Sequence, residues 1–359
     1  MVKGETGPLE RAVALADSVV RTVSPEMKWM WGQALLGYAL TELDSYLGED
    51  RYLSFTNAYC DHHARHTPRV DQSDTCAPAL VTYALYKRTG DPRYKDLTDR
   101  VLSYIRSAPR LACGAVNHLG HSPEGRLYPR SVWVDSLMMF AVFPARYAAE
   151  NRDPVLLDTA AAQPGLYARL LMDPETRLWH HAYWDRPKRP YPRRLFWGRG
   201  NGWVIASLPM ILDHLPGDHP ERSRILAILR ETSEALLPYQ RPDGYFETVL
   251  SRPGRTYRES SATALVASGW LQGVRTGYLP ETFRAPAERA IAAVAGDLRT
   301  ENGLTYMDEI SGPTVPLQAF PYLGYKLIPR GTNRSYGVAA FIFAAIQHDR
   351  LLKIGRTGA

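Results

Sequence analysis

Two acidic residues stand directly before apolar runs with helical spacing. Asp135 lies in Ser131-Val132-Trp133-Val134-Asp135-Ser136-Leu137-Met138-Met139, and Asp74 lies in Asp71-Gln72-Ser73-Asp74-Thr75, ahead of Ala79–Tyr86. Two uses fit such a position. A carboxylate at a helix start caps free backbone N–H groups, a role worth about 1 kcal/mol. Alternatively, a carboxyl desolvated among Trp133 and methionines has a raised pKa and keeps a proton for acid catalysis near neutral pH. If both helices belong to the inner wall of one barrel, the two carboxyls share a mouth and a paired-acid site results.

The densest local motif is Trp197-Gly198-Arg199-Gly200-Asn201-Gly202-Trp203, just ahead of a helical pattern. Alternating glycines bring backbone close to something. The segment lacks the Lys-Ser/Thr ending of a P-loop, and its glycine spacing misses the dinucleotide fingerprint, which disfavours a nucleotide. Indole faces cover the C–H faces of a pyranose, and a guanidinium takes a carboxylate through a charge-assisted bond of about 1.5–3 kcal/mol. A tight turn with core tryptophans is the competing use, and the two are compatible. His118 and His181 fall in long loops. No His-x-x-x-His pattern accompanies them, so the expectation is hydrogen bonding to ligand hydroxyls, with no metal and no cofactor.

These residues need a scaffold that gathers them. Apolar residues recur at helical spacing in Leu9–Val23, Gly32–Leu47, Arg51–His66, Asp74–Thr89, Pro92–Ser107, Ser136–Glu150, Pro154–Met172, Trp203–Leu215, Pro220–Tyr239, Ser261–Thr276, Glu281–Leu298 and Ser335–Leu352. Strand patterns are few: Trp179–Trp184, Gly244–Leu250 and Gly303–Met307. The turn Leu47-Gly48-Glu49-Asp50-Arg51-Tyr52 is echoed by Thr89-Gly90-Asp91-Pro92-Arg93-Tyr94, and more loosely by Asn151-Arg152-Asp153-Pro154. Each pairs a helix-ending Gly or Asn with an acidic residue at the next helix start. An open solenoid would keep its connections short, whereas 111–133, 179–203 and 303–334 are long and aromatic-rich, as functional loops are. The expected fold is all-α, an (α/α)6 barrel of six helical hairpins, with residues 1–359 as a single catalytic domain.

Among 359 residues there are three scattered cysteines, Cys60, Cys76 and Cys113, which form neither a disulfide framework nor a Cys-x-x-Cys site. The first twenty-odd residues, with Lys3 and Arg11, contain no apolar signal core, and no apolar run reaches membrane-spanning length. A cytoplasmic protein without membrane insertion is expected. The net charge is +6, and the densest basic run, Arg186–Arg199, is interleaved with Pro, Tyr, Phe and Trp. Near-neutral charge elsewhere and the lack of a nucleic-acid module disfavour a nucleic-acid partner and favour a small anionic ligand.

Taken in order, Trp133-Val134-Asp135, His181-Ala182-Tyr183, the Trp197–Trp203 motif and Glu259-Ser260-Ser261-Ala262-Thr263-Ala264 resemble the unsaturated rhamnogalacturonyl hydrolases of glycoside hydrolase family 105. More distantly they resemble the unsaturated glucuronyl hydrolases of family 88. The resemblance spans nearly the whole chain. It implies an (α/α)6 barrel acting on lyase-generated oligosaccharides that carry a 4,5-unsaturated uronic acid. In that scheme Asp135 protonates C4 of the enol ether and helps deliver water to C5, and the resulting hemiketal collapses without metal or covalent intermediate. By position Asp74 is the second acid. Arg199 and His181 would sit near the uronate, while Trp31, Trp133, Trp197 and Trp203 would line the pocket with His118 and Asn201. The sequence departs from this pattern at Trp184, where many relatives place an acid, and in its basic, Pro-rich segment Arg186–Arg194. A sugar epimerase or another glycosidase on the same barrel is the alternative, as is a non-catalytic carbohydrate-binding protein.

Overall fold

Each of the twelve helical patterns has a counterpart in the computed structural model, which describes residues 6–357; Lys3 and the two ends of the expected domain lie outside the described residues. The helices are α1 Pro8–Thr22, α2 Trp31–Leu47, α3 Leu53–His66, α4 Ala79–Thr89, α5 Pro92–Ser107, α6 Val142–Asn151, α7 Pro154–Leu171, α8 Gly198–Leu212, α9 Arg222–Leu236, α10 Ser260–Arg275, α11 Arg284–Gly296, α12 Pro321–Leu327 and α13 Ser335–Thr357. The short α12 has no counterpart among the twelve helical patterns. Helices α2, α4, α6, α8, α10 and α13 pack side by side in that order, and α13 returns to α2, closing a ring. Outside it, α1 leans on α13, α3 on α2 and α4, α5 on α4, α7 on α6, α9 on α8 and α11 on α10. The architecture is an (α/α)6 barrel.

Burial explains who lies inside. Every residue from Ser260 to Val274 of α10 is buried, as are nearly all of α8, the mark of helices enclosed on all sides. Small residues let these two helices approach: a Cβ at Gly269 would stand 2.0 Å from the carbonyl oxygen of Ile205. Outer α5 instead buries a stripe, Tyr94, Leu97, Thr98, Val101, Leu102 and Ile105, and leaves its other face to solvent. The repeated turns behave as expected at α5 and α7, where Asp91 and Asp153 accept from Arg93 N and Leu156 N. The α3 start differs, because the Tyr52 N–H is taken by Asp44 from the previous helix.

Strands are confined to the connections. Strands β1 Ser131–Trp133, β2 Ala182–Trp184 and β3 Arg189–Tyr191 form an antiparallel sheet in that order. Strands β4 Arg299–Glu301 and β5 Leu304–Tyr306 make a hairpin, and β6 Ile310–Ser311 pairs β7 Arg330–Gly331. The expected strand 244–250 is not a strand; it contributes only isolated bridges, Trp197 with Val249 and Glu247 with Arg258. Among the described residues no helix is long and apolar enough to cross a membrane.

Candidate active site

In a ring whose inner helices all run the same way, one mouth receives all six N-termini. Here those ends carry Trp31 on α2, Asp74 ahead of α4, Asp135 ahead of α6, Arg199 on α8, Glu259 ahead of α10 and Tyr336 on α13. Neither acid caps a regular helix. Asp74 lies in a single 3₁₀ turn, Ser73–Thr75, and α4 begins only at Ala79, after Pro78. Asp135 precedes a π-helical turn, Leu137–Ala141. Pro144 offers no N–H to the carbonyl four residues back, so the helical ladder is interrupted and the preceding turn widens.

The two acids sit in opposite surroundings. Asp135 is 9% exposed, and its Oδ2 lies 3.3 Å from Nε2 of His181, itself fully buried. Burial, the largest single effect, works to raise the Asp135 carboxyl, but His181 foremost, together with His118 and a backbone N–H, outweighs it, and the group ends below its ordinary value. This corrects the expectation that desolvation beside Trp133 would lift it. Asp74 is the raised one: burial, then the neighbouring charge of Asp135, pushes it well above the ordinary range. His118 Nε2 stands 3.7 Å from Asp74 Oδ1 but brings no charge at neutral pH, because burial pushes its imidazole down to about 4.

Aromatic rings fix both imidazoles. His118 stacks on Trp133 at 4.3 Å, and its Nδ1 meets Ser136 Oγ, which in turn reaches Ser73. His181 stacks on Trp197 at 4.3 Å and touches the edge of Trp133. On its far side, Nδ1 of His181 lies 2.9 Å from the hydroxyl of Tyr325, a buried residue of α12. Trp31, partly exposed, packs on Tyr336 and edge-on against Trp203. Asp135 Oδ2 and His181 Nε2 have only each other, at 3.3 Å, while Arg199 Nε, Trp197 Nε1 and Trp203 Nε1 are buried without a hydrogen-bond partner. Buried polar atoms are rarely left so, and their concentration here marks a place for a polar ligand.

Two expected ligand contacts are occupied by the chain itself. Arg199 is fully buried; its Nη atoms donate to the carbonyls of Ser311 and Gly312 and to Thr314, and its plane lies between Trp197 and Tyr336. The guanidinium fork therefore holds the segment after β6 rather than standing open to a carboxylate. Asn201 spends its amide on the Trp179 N–H and the Trp179 and Trp197 carbonyls. The glycines also differ from expectation, since they lie inside α8 rather than before it. A Cβ at Gly198 would sit 2.3 Å from the Glu247 carbonyl oxygen, and one at Gly200 would sit 2.8 Å from the Trp197 ring. What the alternating glycines admit is neighbouring protein.

Tyr325, Ser136 and Glu259 were not among the expected site residues. Glu259 belonged to a recognised motif, whereas Tyr325 lies in an aperiodic stretch far along the chain from His181. Among the described residues no three His, Cys, Asp or Glu side chains are grouped to hold a metal ion. The other mouth of the barrel encloses a separate cavity of about 230 Å³. Its Arg146 is already paired with Glu42 and Glu150, and none of the residues above lines it.

The chain is similar to proteins of known structure and activity. It is 25% identical over 331 residues, 91% of its own length and 92% of the other's, to the unsaturated rhamnogalacturonyl hydrolase YesR of Bacillus subtilis (strain 168). It is 26% identical over 226 residues, 62% of its length and 52% of the other's, to an unsaturated 3S-rhamnoglycuronyl hydrolase of Alteromonas sp. (strain LOR). Its fold matches that of a family 105 glycoside hydrolase of C. acetobutylicum ATCC 824 with a TM-score of 0.86, at 23% identity and covering 94% of this chain and 99% of that one. The family model described as Glycosyl Hydrolase Family 88 matches residues 10–352, and the chain belongs to that family.

Proposed function

We propose that this glycosyl hydrolase removes a 4,5-unsaturated uronic acid from the non-reducing end of lyase-generated oligosaccharides, by protonating and hydrating the enol ether. The observation that carries this reading is a pair of carboxyls at one mouth, each beside a buried imidazole, Asp135 Oδ2 3.3 Å from His181 and Asp74 Oδ1 3.7 Å from His118, surroundings that push Asp74 upward and Asp135 downward. Hydration of an enol ether needs one acid and one base, and such a pair supplies both near neutral pH. Asp74 gives its proton to C4. Asp135, held by His181, takes a proton from the water that adds to C5. The product is a hemiketal, which opens and releases the next sugar. This reverses the resting protonation expected for Asp135 while keeping both acids in the reaction.

Further features support an anionic sugar as ligand. Six inner-helix N-termini face the mouth and favour negative charge. His181 stacked on Trp197, with Trp133 edge-on to it, gives the acid pair a rigid aromatic backing of the kind that packs against a pyranose or its flattened unsaturated form. The chemistry as proposed requires no metal and no other cofactor. The chain is read as one catalytic domain because a single apolar cluster extends from Ala12 to Leu351. A cytoplasmic location is part of the same proposal, supported by three free cysteines.

The test is the loss of ultraviolet absorbance from the conjugated uronate when the purified protein meets a panel of lyase-generated disaccharides, rhamnose-linked ones first, with and without chelator. The expected result is chelator-insensitive decay that Asp135→Asn abolishes. Decay by Asp135→Asn at the wild-type rate would remove that residue from the reaction. Isomerised sugar, or cleavage of saturated glycosides, would favour an epimerase or another glycosidase, and tight binding without turnover would favour a non-catalytic protein.

A further inference from the structure

The hairpin of β2 and β3 springs directly from His181 and carries Arg186, Lys188 and Arg189, with Arg193 and Arg194 following it. All five cations are exposed, and among the described residues none has a carboxylate partner or a side-chain hydrogen bond. Arginines elsewhere on the surface behave differently: Arg51 pairs with Asp17, Arg93 with Asp91, Arg106 with Asp153 and Arg299 with Asp308. With five cations against one carboxylate, Asp185, the hairpin carries a net positive charge.

Register fixes where that charge points. Directly opposed residues of an antiparallel ladder project from one face of the sheet. Ser131 opposes Trp184, which opposes Arg189; Trp133 opposes Ala182, which opposes Tyr191. Arg189 therefore shares a face with Trp133, the ring that contacts both site imidazoles. At about 4.8 Å per strand, its backbone lies about 10 Å across the sheet from β1. Between them Trp184 packs on Tyr191 at 5.0 Å and on Tyr128 at 6.0 Å, and Tyr128 packs on Trp133 at 5.6 Å, a continuous aromatic cluster in which Tyr128 and Tyr191 are the partly exposed members. Pro187, Pro190 and Pro192 restrict the backbone, and the Tyr191 hydroxyl ties the hairpin to the Leu317 carbonyl at 2.6 Å, so the hairpin is ordered before ligand arrives.

We infer that this hairpin is an oxyanion subsite on the leaving side of the substrate, with Arg189 binding a sulfate ester or a second uronate carboxylate beyond the scissile bond. The inference rests on the uronyl hydrolase reading for its account of which sugar lies there. A guanidinium presents a planar fork to either anion.

The experiment pairs turnover with binding. Wild type and Arg189→Gln are assayed on an unsaturated uronyl-rhamnose disaccharide, on its 3-O-sulfated counterpart, and on an unsaturated tetrasaccharide with an internal uronate. Both proteins are also titrated by tryptophan fluorescence with rhamnose and rhamnose 3-sulfate, which need no turnover. Wild type should favour one anionic substrate in kcat/KM by about tenfold or more, mainly through KM, and Arg189→Gln should lose that preference. Which substrate is preferred identifies sulfate or carboxylate as the anion. Arg189 is exposed and unpaired, so the substitution does not threaten folding. Equal kcat/KM for all three substrates, with ratios unmoved in Arg189→Gln, overturns the subsite. If no substrate is turned over yet rhamnose 3-sulfate binds about tenfold tighter than rhamnose, in an Arg189-dependent way, the subsite stands and the uronyl hydrolase reading fails. Absence of both turnover and preferential binding overturns both.

Discussion

Arg199 and Glu259, neither exposed to solvent, lie 3.7 Å apart and grip the same residue from both sides: Glu259 accepts from the Ser311 N–H while Arg199 donates to the Ser311 carbonyl. Glu259 also accepts from the N–H groups of Ser261 and Ala262 at the start of α10. One ion pair thus joins α8, α10 and β6 at the mouth. Removing one partner from such a pair leaves the other buried and uncompensated, at a cost of about 3–5 kcal/mol. Arg199→Met should lower the urea midpoint accordingly, and Arg199→Met/Glu259→Gln should recover part of the loss. A change of about 0.5 kcal/mol or less in the single variant would show that the pair is not what secures the mouth.

The acid pair predicts both limbs of a pH profile. A base must be ionised and Asp135 is lowered, so kcat/KM falls only as pH drops below its ordinary value of 3.8. An acid must be protonated and Asp74 is raised, so the alkaline fall lies well above that value. Asp74→Asn should lose about 10²–10⁴-fold in rate, and the residual activity should lack the alkaline limb. Persistence of that limb in Asp74→Asn would assign it to another group.

The same shift makes a statement about stability. With its folded pKa above its unfolded one, Asp74 binds more proton in the native state, so stability drains away as pH rises between the two values. Asn carries no such charge. Asp74→Asn should therefore raise the melting temperature at neutral pH and flatten its pH dependence in acid. An unchanged or lower melting temperature at neutral pH would argue against an unfavourably buried acid.

How far the chain discloses this site depends on the range of the interaction. Helical spacing is local, so the twelve long helices and their closing turns could be read directly, whereas the seven-residue α12 is too short to establish a period. Trp133, Trp197 and His181 could be named from motifs, and they do meet. Their partners could not: Tyr325 is 144 positions from His181, and the carbonyls that occupy Arg199 are more than 110 positions away. An arginine between tryptophans looks the same in sequence whether its fork faces solvent or another loop. The sign of the Asp135 shift is hidden for a related reason, since burial is legible in apolar neighbours but an imidazole from a distant loop is not.

The glycines of α8 provide a test of what their spacing is for. A methyl at Gly198 would meet the carbonyl of Glu247, a residue paired with Arg258 in an isolated bridge, whereas Gly217 has nothing within 4 Å of an added Cβ. Overpacking of this kind costs about 1–3 kcal/mol. Gly198→Ala should be destabilised by that amount in urea unfolding, with Gly217→Ala close to wild type. If Gly198→Ala kept its stability and lost only substrate affinity, the glycines would instead be admitting a ligand.

Tyr325 offers the sharpest test of how Asp135 is held in its ionised state. Burial pushes the phenol well above its ordinary range, so at working pH its hydroxyl is a donor, and His181 Nδ1 is the acceptor 2.9 Å away. An imidazole that accepts at Nδ1 carries its proton at Nε2, which faces Asp135 at 3.3 Å. Tyr325→Phe keeps the ring in place and removes only this instruction. Its stability should fall by about 1–3 kcal/mol, the cost of leaving the buried His181 Nδ1 without its donor. With the tautomer released, Asp135 loses a directed donor and its carboxyl rises, so the acid limb of kcat/KM should move to higher pH. The loss, about tenfold, should fall on kcat more than on KM, because the hydroxyl points at His181 and acts through it. A Tyr325→Phe profile superimposable on wild type would mean that Asp135 is held low without the tyrosine.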